Sequence, residues 1–193
     1  MSEENRSLSR GSIRYVFLDR DGVINRKLPE GRYVTRWEQF ELLPNVAEAI
    51  AALNRSGRRV IVVTNQRGIA LGHMTHADVD AIHSGLVVAL AREGASLDRI
   101  YYCPHDRNEC SCRKPRTGMI EAAFRDFPDA RPENSILIGD SWSDIECGRA
   151  AGMPKILVER KEEGNDDDGA GVARELADAR VDSLPDAVRL ILG

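Results

Sequence analysis

Two carboxylates two residues apart, Asp19 and Asp21, close the apolar run Val16-Phe17-Leu18 and are followed at once by Gly22. If residues 14–18 form a buried strand, the alternation of side chains sends both acids from its end on the same side. Acids that close repel each other unless a cation lies between them, and oxygen-only ligands suit Mg²⁺. Gly22 lets the chain turn sharply just past them. A carboxylate beside Mg²⁺ can attack phosphorus and form an aspartyl-phosphate. The transferring phosphoryl group then needs a cation and hydroxyl or amide donors on its oxygens. Arg113-Lys114-Pro115 offers the cation, and Thr64-Asn65 offers the donors. A second carboxylic acid can protonate the leaving oxygen and later activate the water that clears the intermediate.

A second constellation is soft rather than hard. Cys103, His105, Cys110 and Cys112 supply three thiolates and one imidazole within ten residues, a set suited to a closed tetrahedral Zn²⁺ site. Four protein ligands leave no open coordination position, so the expected role is structural. The loop runs directly into Arg113 and Lys114, whose aim such a site would fix. The fourth cysteine, Cys147, shares a helical pattern with Ile145 and Ala151 and is expected to pack. His73, His76 and His83 show no partner pattern and are expected in surface or helix roles.

The elements that must position these residues alternate along the chain. Strands are expected over 14–18, 58–64 (with the β-branched run Val60-Ile61-Val62-Val63), 100–102, 135–138 and 155–158, with a short edge strand near Val181. Pro44 is expected to open a helix bearing Val46, Ile50 and Leu53 on one face, with Gly57 just past its end. Thr75 and Asp78 form a capping-box pattern that opens a helix over 76–92, stopped by Gly94. Further helices are expected over 117–127, 144–151, 172–179 and 185–192. Residues 25–43 lack periodicity and read as a long loop on the active side, and 164–171 as a solvated acidic loop. Strand–helix alternation implies an α/β, Rossmann-like three-layer sandwich with a mostly parallel central sheet. Ligands bind such sheets beyond the carboxyl ends of the strands. The polar punctuation falls there: Asp19 and Asp21, Thr64 and Asn65, then Asp140 and Asp144.

At 193 residues the chain suits one domain over 13–193, with a polar tail over 1–12. A net charge of -4 argues against a dedicated nucleic-acid partner. No apolar run reaches the length of a membrane span, and the first residues lack a signal-peptide core, so the expected compartment is the cytoplasm and no membrane partner is expected.

The stretches FLDRDGVIN, VVTNQRGIA, CRKPRTGM and LIGDSWSD appear in the order of the four motifs of the haloacid dehalogenase superfamily of phosphohydrolases, which the chain resembles from about residue 14 to 158. The resemblance implies Asp19 as nucleophile, Asp21 as general acid/base, and Thr64 and Lys114 as phosphoryl stabilisers. It implies Mg²⁺ held by Asp19, Asp140 and the backbone carbonyl of Asp21, with Asp144 in support. The intervals between motifs leave no room for a separate cap domain. The zinc loop narrows the resemblance to a capless branch of heptose-bisphosphate and histidinol-phosphate phosphatases. VVTNQRGIALGHMT and IYYCPH lean toward the heptose side, while the short interval from His105 to Cys110 resembles the histidinol side. The branch implies substrate contacts from Asn65, Gln66, Arg67 and Arg113, the last at a distal phosphate. The expected substrate is a small phosphorylated sugar, with removal of the 7-phosphate of a heptose 1,7-bisphosphate, and histidinol phosphate as the alternative. The expected assembly is a monomer.

Overall fold

A computed structural model describes residues 13–29, 31–159 and 169–193. The expected tail over 1–12 and residues 164–168 of the acidic loop lie outside the described residues.

Strands β1 (Tyr15–Leu18), β2 (Arg59–Asn65), β3 (Arg99–Cys103), β4 (Ser135–Gly139), β5 (Lys155–Val158) and β6 (Ala179–Val181) alternate with helices α1 (Val46–Arg55), α2 (His76–Arg92), α3 (Gly118–Asp126), α4 (Trp142–Ala150), α5 (Ala170–Leu176) and α6 (Leu184–Leu192). The strands form one sheet in the order β3-β2-β1-β4-β5-β6, and every pairing is parallel. The α/β three-layer expectation holds, and the sheet is wholly parallel among the described residues.

The β-branched runs are covered on both faces. Val16 and Leu18 of β1, Val60 and Val62 of β2, and Ile136 and Ile138 of β4 point to one layer, where Ile50 and Leu53 of α1, Ile82 and Leu86 of α2, and Val188 of α6 meet them. Tyr15, Phe17, Ile61, Val63 and Leu137 point the other way, onto Met119 and Ile120 of α3 and Cys147 of α4. Burying such side chains from both faces removes most of their apolar surface from water, at about 25 cal/mol per Å². Cys147 therefore packs, as expected, and burial pushes its thiol up to about 12.

Leu18 stands level with Val62 on one side and Ile138 on the other, and β2 runs on to Asn65, so Thr64 and Asn65 lie beyond the end of β1. The direction of strand succession reverses between β1 and β4, and their carboxyl ends open the crevice where such sheets take ligands. Among its described residues, the long segment 25–43 holds one 3₁₀ turn, Trp37–Gln39.

Some boundaries differ from expectation. Pro44 stays in the turn; Asn45, left-handed at φ 60, precedes the first helical residue, Val46. Helix α4 starts at Trp142 because Ser141 and Asp144 form a capping box, which pulls the start forward. Helix α5 begins at Ala170, taking in two residues expected in the acidic loop.

Candidate active site

The chain leaves β1 with Asp19 N–H donating to Ile138 O (2.9 Å), then winds one tight turn in which Ile24 and Asn25 N–H groups both donate to Arg20 O. Gly22 sits at φ +94, and a Cβ there would lie 2.2 Å from Asp140 Oδ2. Gly139 has a different constraint: a Cβ would lie 2.1 Å from the Cβ of Asp144. Both glycines are spaces left for carboxylates.

Lys114 is buried; its ammonium donates to Asp19 Oδ1 (2.7 Å) and Val63 O (2.7 Å) and forms an ion pair with Asp144 Oδ1 (2.5 Å). Asn65, at the end of β2, grips the backbone of Lys114 from both sides. Its Oδ1 accepts from Lys114 N (3.0 Å) and its Nδ2 donates to Lys114 O (3.1 Å). Asp144 Oδ2 closes the α4 cap by accepting from Ser141 N and Oγ. Lys27, from the loop after β1, reaches Asp140 Oδ2 at 2.8 Å.

This arrangement is anion-rich. Oxygen atoms of Asp19, Asp140 and Asp144 lie within 4.8 Å of one another, and among the described residues the ammonium groups of Lys27 and Lys114 pair with them. Burial, despite the nearby Lys114 and helped by Asp144 and Asp140, pushes Asp19 up to about 7. Burial also pushes Asp140 up to about 6, against the pull of Lys27. Burial works against the charge of Lys114, but Asp144 and Asp19 outweigh it and hold its pKa above the usual range. Buried oxygens with excess negative charge fit a hard divalent cation.

Asp21 faces a different environment. Its Oδ1 accepts from Asn25 Nδ2 (2.9 Å) and Arg20 Nη2 (3.1 Å), and its Oδ2 from Arg20 Nη2 (2.9 Å) and Gln66 Nε2 (3.0 Å). Burial alone would raise its pKa, but Arg20, Asn25 and Gln66 together hold the carboxyl below its ordinary value. Gln66 also donates to Thr64 Oγ1 (2.9 Å). Asn65 and Gln66, expected at the substrate, thus spend their amides inside the site, and Gln66 is 2% exposed.

The Cys₃His set converges. Cys112 Sγ lies 3.2 Å from Cys103 Sγ, 3.3 Å from Cys110 Sγ and 3.3 Å from His105 Nδ1; Cys103 Sγ lies 3.5 Å from Cys110 Sγ. A zinc tetrahedron with bonds of about 2.3 Å has sulfur–sulfur edges of roughly 3.8 Å, so the donor set fits Zn²⁺ after a small expansion. Burial pushes the Cys110 thiol up, but hydrogen bonds from Cys112 and the Arg113 N–H outweigh it and bring it down to about 7. The link from Arg113 N to Cys110 Sγ (3.3 Å) ties the loop to the residue before Lys114.

Beside that loop, Arg67 forks onto Asp106 through Nε (2.5 Å) and Nη2 (3.2 Å). Arg113 is half-buried, and its Nη1 is buried with no hydrogen-bond partner. Burial, then the charges of Arg67 and Arg107, lower its pKa despite Cys103 and Asp106. Arg67, Arg107 and Arg113 stand near Asp106, whose N–H donates to Glu109 Oε2, so cations outnumber carboxylates there by three to two.

The motif residues therefore converge on two adjoining patches. Sequence reasoning missed Lys27, Asn25, Arg20 and His83. Asn25 and Arg20 stand inside the first motif itself; Lys27 lies in an aperiodic stretch that gave no signal. His83, expected in a surface or helix role, is 7% exposed, with its Nε2 3.1 Å from Arg20 Nη1. A lone histidine on a helix cannot reveal a partner 63 residues away.

An HAD-hydrolase-like family model matches residues 111–187. The D-glycero-alpha-D-manno-heptose-1,7-bisphosphate 7-phosphatase of Mycobacterium bovis is 47% identical over 132 residues, 68% of this chain and 69% of that protein. The D-glycero-D-manno-heptose-1,7-bisphosphate 7-phosphatase of Chlorobaculum tepidum is 41% identical over 159 residues, 76% of this chain and 79% of the relative. The crystal structure of D,D-heptose 1,7-bisphosphate phosphatase from B. bronchiseptica, complexed with magnesium and phosphate, superposes with a TM-score of 0.80 at 29% identity, covering 93% of this chain and 98% of that one.

Proposed function

The chain belongs to the HAD-like phosphatases, in the family of the D-glycero-D-manno-heptose-1,7-bisphosphate 7-phosphatases, and we propose that it removes the 7-phosphate of that sugar bisphosphate through an aspartyl-phosphate on Asp19. The observation that carries this reading is the buried Asp19, held by Lys114 at the carboxyl end of β1 among more carboxylates than cations.

Residues 13–193 act as one phosphatase domain. Asp19, Asp140 and the backbone carbonyl of Asp21 would hold Mg²⁺, with Asp144 behind them. When bound, the ion neutralises phosphoryl oxygens. An oxygen of Asp19 attacks phosphorus; the bond from phosphorus to the O7 of the sugar breaks, and Asp21, entering protonated, gives its proton to that oxygen. Water then attacks the phosphorus of the aspartyl-phosphate, Asp21 takes the water's proton, and inorganic phosphate leaves with Asp19 restored. Arg20, Asn25 and Gln66 favour the carboxylate of Asp21, which suits the second step; for the first step Asp21 must take up a proton against that bias. Thr64 keeps its hydroxyl proton for a phosphoryl oxygen, because its oxygen accepts from Gln66. Asn65 places Lys114, and Gln66 places Asp21 and Thr64.

The distal phosphate falls to Arg113 and Arg67. The orphaned Nη1 of Arg113, with Arg67 beside it on Asp106, calls for an anion, which Arg binds as a fork. The same charges would repel the ammonium of histidinol phosphate. Zn²⁺ on Cys103, His105, Cys110 and Cys112 would fix the loop that bears Arg113 and Lys114. Thiolate ligation of this kind suits a reducing cytoplasm. No helix of the described residues is long and apolar enough to cross a membrane. We take the working form to be a monomer.

Incubating the protein with heptose 1,7-bisphosphate and Mg²⁺ should release one phosphate and leave the 1-phosphate, resolved by phosphorus NMR. A kcat/KM for histidinol phosphate equal to or above that for the bisphosphate would overturn the substrate assignment.

A further inference from the structure

Arg20 lies between the nucleophile and the acid/base and is 1% exposed. Its guanidinium forms one carboxylate ion pair, with Asp21 at 2.9 Å, donates to Gln66 Oε1 (3.1 Å), and lies 5.8 Å from the centre of the Phe40 ring. Its other terminal nitrogen meets His83 Nε2 at 3.1 Å. Arginine has no acceptor, so Nε2 must be the unprotonated nitrogen and His83 is neutral with its proton on Nδ1. Burial, then the charge of Arg20, hold the ring down at about 3, in agreement with that geometry. His83 is itself seated: it lies edge-on to Tyr102, with ring centres 5.6 Å apart, on a helix whose first turn is locked by the Thr75–Asp78 capping box.

A buried guanidinium cannot shift without leaving a charge uncompensated. Asp21 and Arg20 therefore move together or not at all, and His83 is the neutral acceptor that sets where Arg20 stops. We propose that His83 and Arg20 form a positioning pair for Asp21, through which helix α2 governs proton delivery to the leaving oxygen. The inference rests on the acid/base reading of Asp21 given above.

The readout is leaving-group dependence. An alkyl phosphate needs its leaving oxygen protonated, whereas p-nitrophenolate departs without help. kcat/KM covers only the steps through departure of the leaving group, so hydrolysis of the aspartyl-phosphate does not enter it. General acid catalysis contributes roughly a hundredfold or more, and about 1 Å of misplacement can remove much of that. With Mg²⁺ and zinc-loaded protein, His83→Leu should lower kcat/KM for the sugar bisphosphate at least about tenfold while changing that for p-nitrophenyl phosphate less than about threefold. His83→Gln, whose carbonyl oxygen can accept from Arg20, should recover most of the loss. Arg20→Lys keeps the buried charge but loses the fork; it should behave as His83→Leu and serves if the leucine variant does not fold. Equal losses on both esters, or no loss on either, would overturn the positioning role. Wild-type protein inactive on both esters would instead refute the phosphatase reading, a result separate from any variant.

Discussion

Asp19 carries contradictory demands: it must be ionised to attack phosphorus, yet burial and its neighbours push it up to about 7. Lys114 at 2.7 Å favours the carboxylate, and a bound divalent cation would add to that. Asp19→Asn is nearly isosteric but a poor nucleophile, so turnover should fall by a factor on the order of thousands or more while circular dichroism stays unchanged. Near-normal phosphate release would refute the covalent mechanism. In the proposed reading Arg113 is the specificity counterpart. Arg113→Ala removes the fork for a second anion and leaves Lys114 in place. It should lower kcat/KM for the bisphosphate at least about tenfold, or roughly 1.4 kcal/mol, with a smaller effect on a simple monophosphate. A steady-state comparison of the two esters checks it.

Among the elements, the loop between β3 and α3 has the most to position and the least regular structure to do it with. Its cysteines stand in for a core: Gln66 N–H bonds to Cys103 O (2.8 Å), Gly118 N–H to Ser111 O (3.1 Å), and Arg113 N–H to Cys110 Sγ. A Cβ at Gly118 would fall 2.6 Å from Ser111 O, so α3 starts hard against the loop. Purified protein should carry about one zinc per chain, as a closed four-ligand site requires. Cys110→Ser should lose that metal, and kcat/KM should fall by about a hundredfold through misplacement of Arg113 and Lys114. Elemental analysis with parallel kinetics is the check, and unchanged activity in a zinc-free Cys110→Ser variant would remove the positioning role of the metal.

Across the whole molecule, burial of titratable groups links folding to pH. His83 is held at about 3 when folded and returns to about 6.5 when unfolded. As pH falls below about 6.5 the unfolded chain takes up a proton that folded His83 refuses, so its stabilising effect is complete above that pH and is lost progressively on acidification, at up to about 1.4 kcal/mol per pH unit. Asp19 and Asp140, raised to about 7 and about 6, act with the opposite sign: in metal-free protein they favour the folded state at low pH, and that gain is lost as pH rises through those values. The difference between wild type and His83→Gln isolates the histidine. Urea unfolding between pH 4 and 7 should show His83→Gln losing less stability on acidification than wild type, and parallel pH profiles for the two proteins would refute the linkage.

The sequence by itself determined the alternating α/β order, the parallel sheet, the capping box at Thr75 and Asp78, and the residues gathered at the strand ends, because strand periodicity, capping and metal-ligand spacing are local signals. The Cys₃His set was equally legible, since its four ligands lie within one short loop. Only the tertiary structure decided what Asn65 and Gln66 do, because their partners, Lys114 and Asp21, lie 49 and 45 residues away. The same holds for Lys27, brought to Asp140 across 113 residues, and for His83, whose neutrality depends on a buried arginine at the end of another element. Side-chain pairing across the crevice depends on strand order and on which face each loop turns toward. Nothing in the local pattern of a single chain encodes those distances.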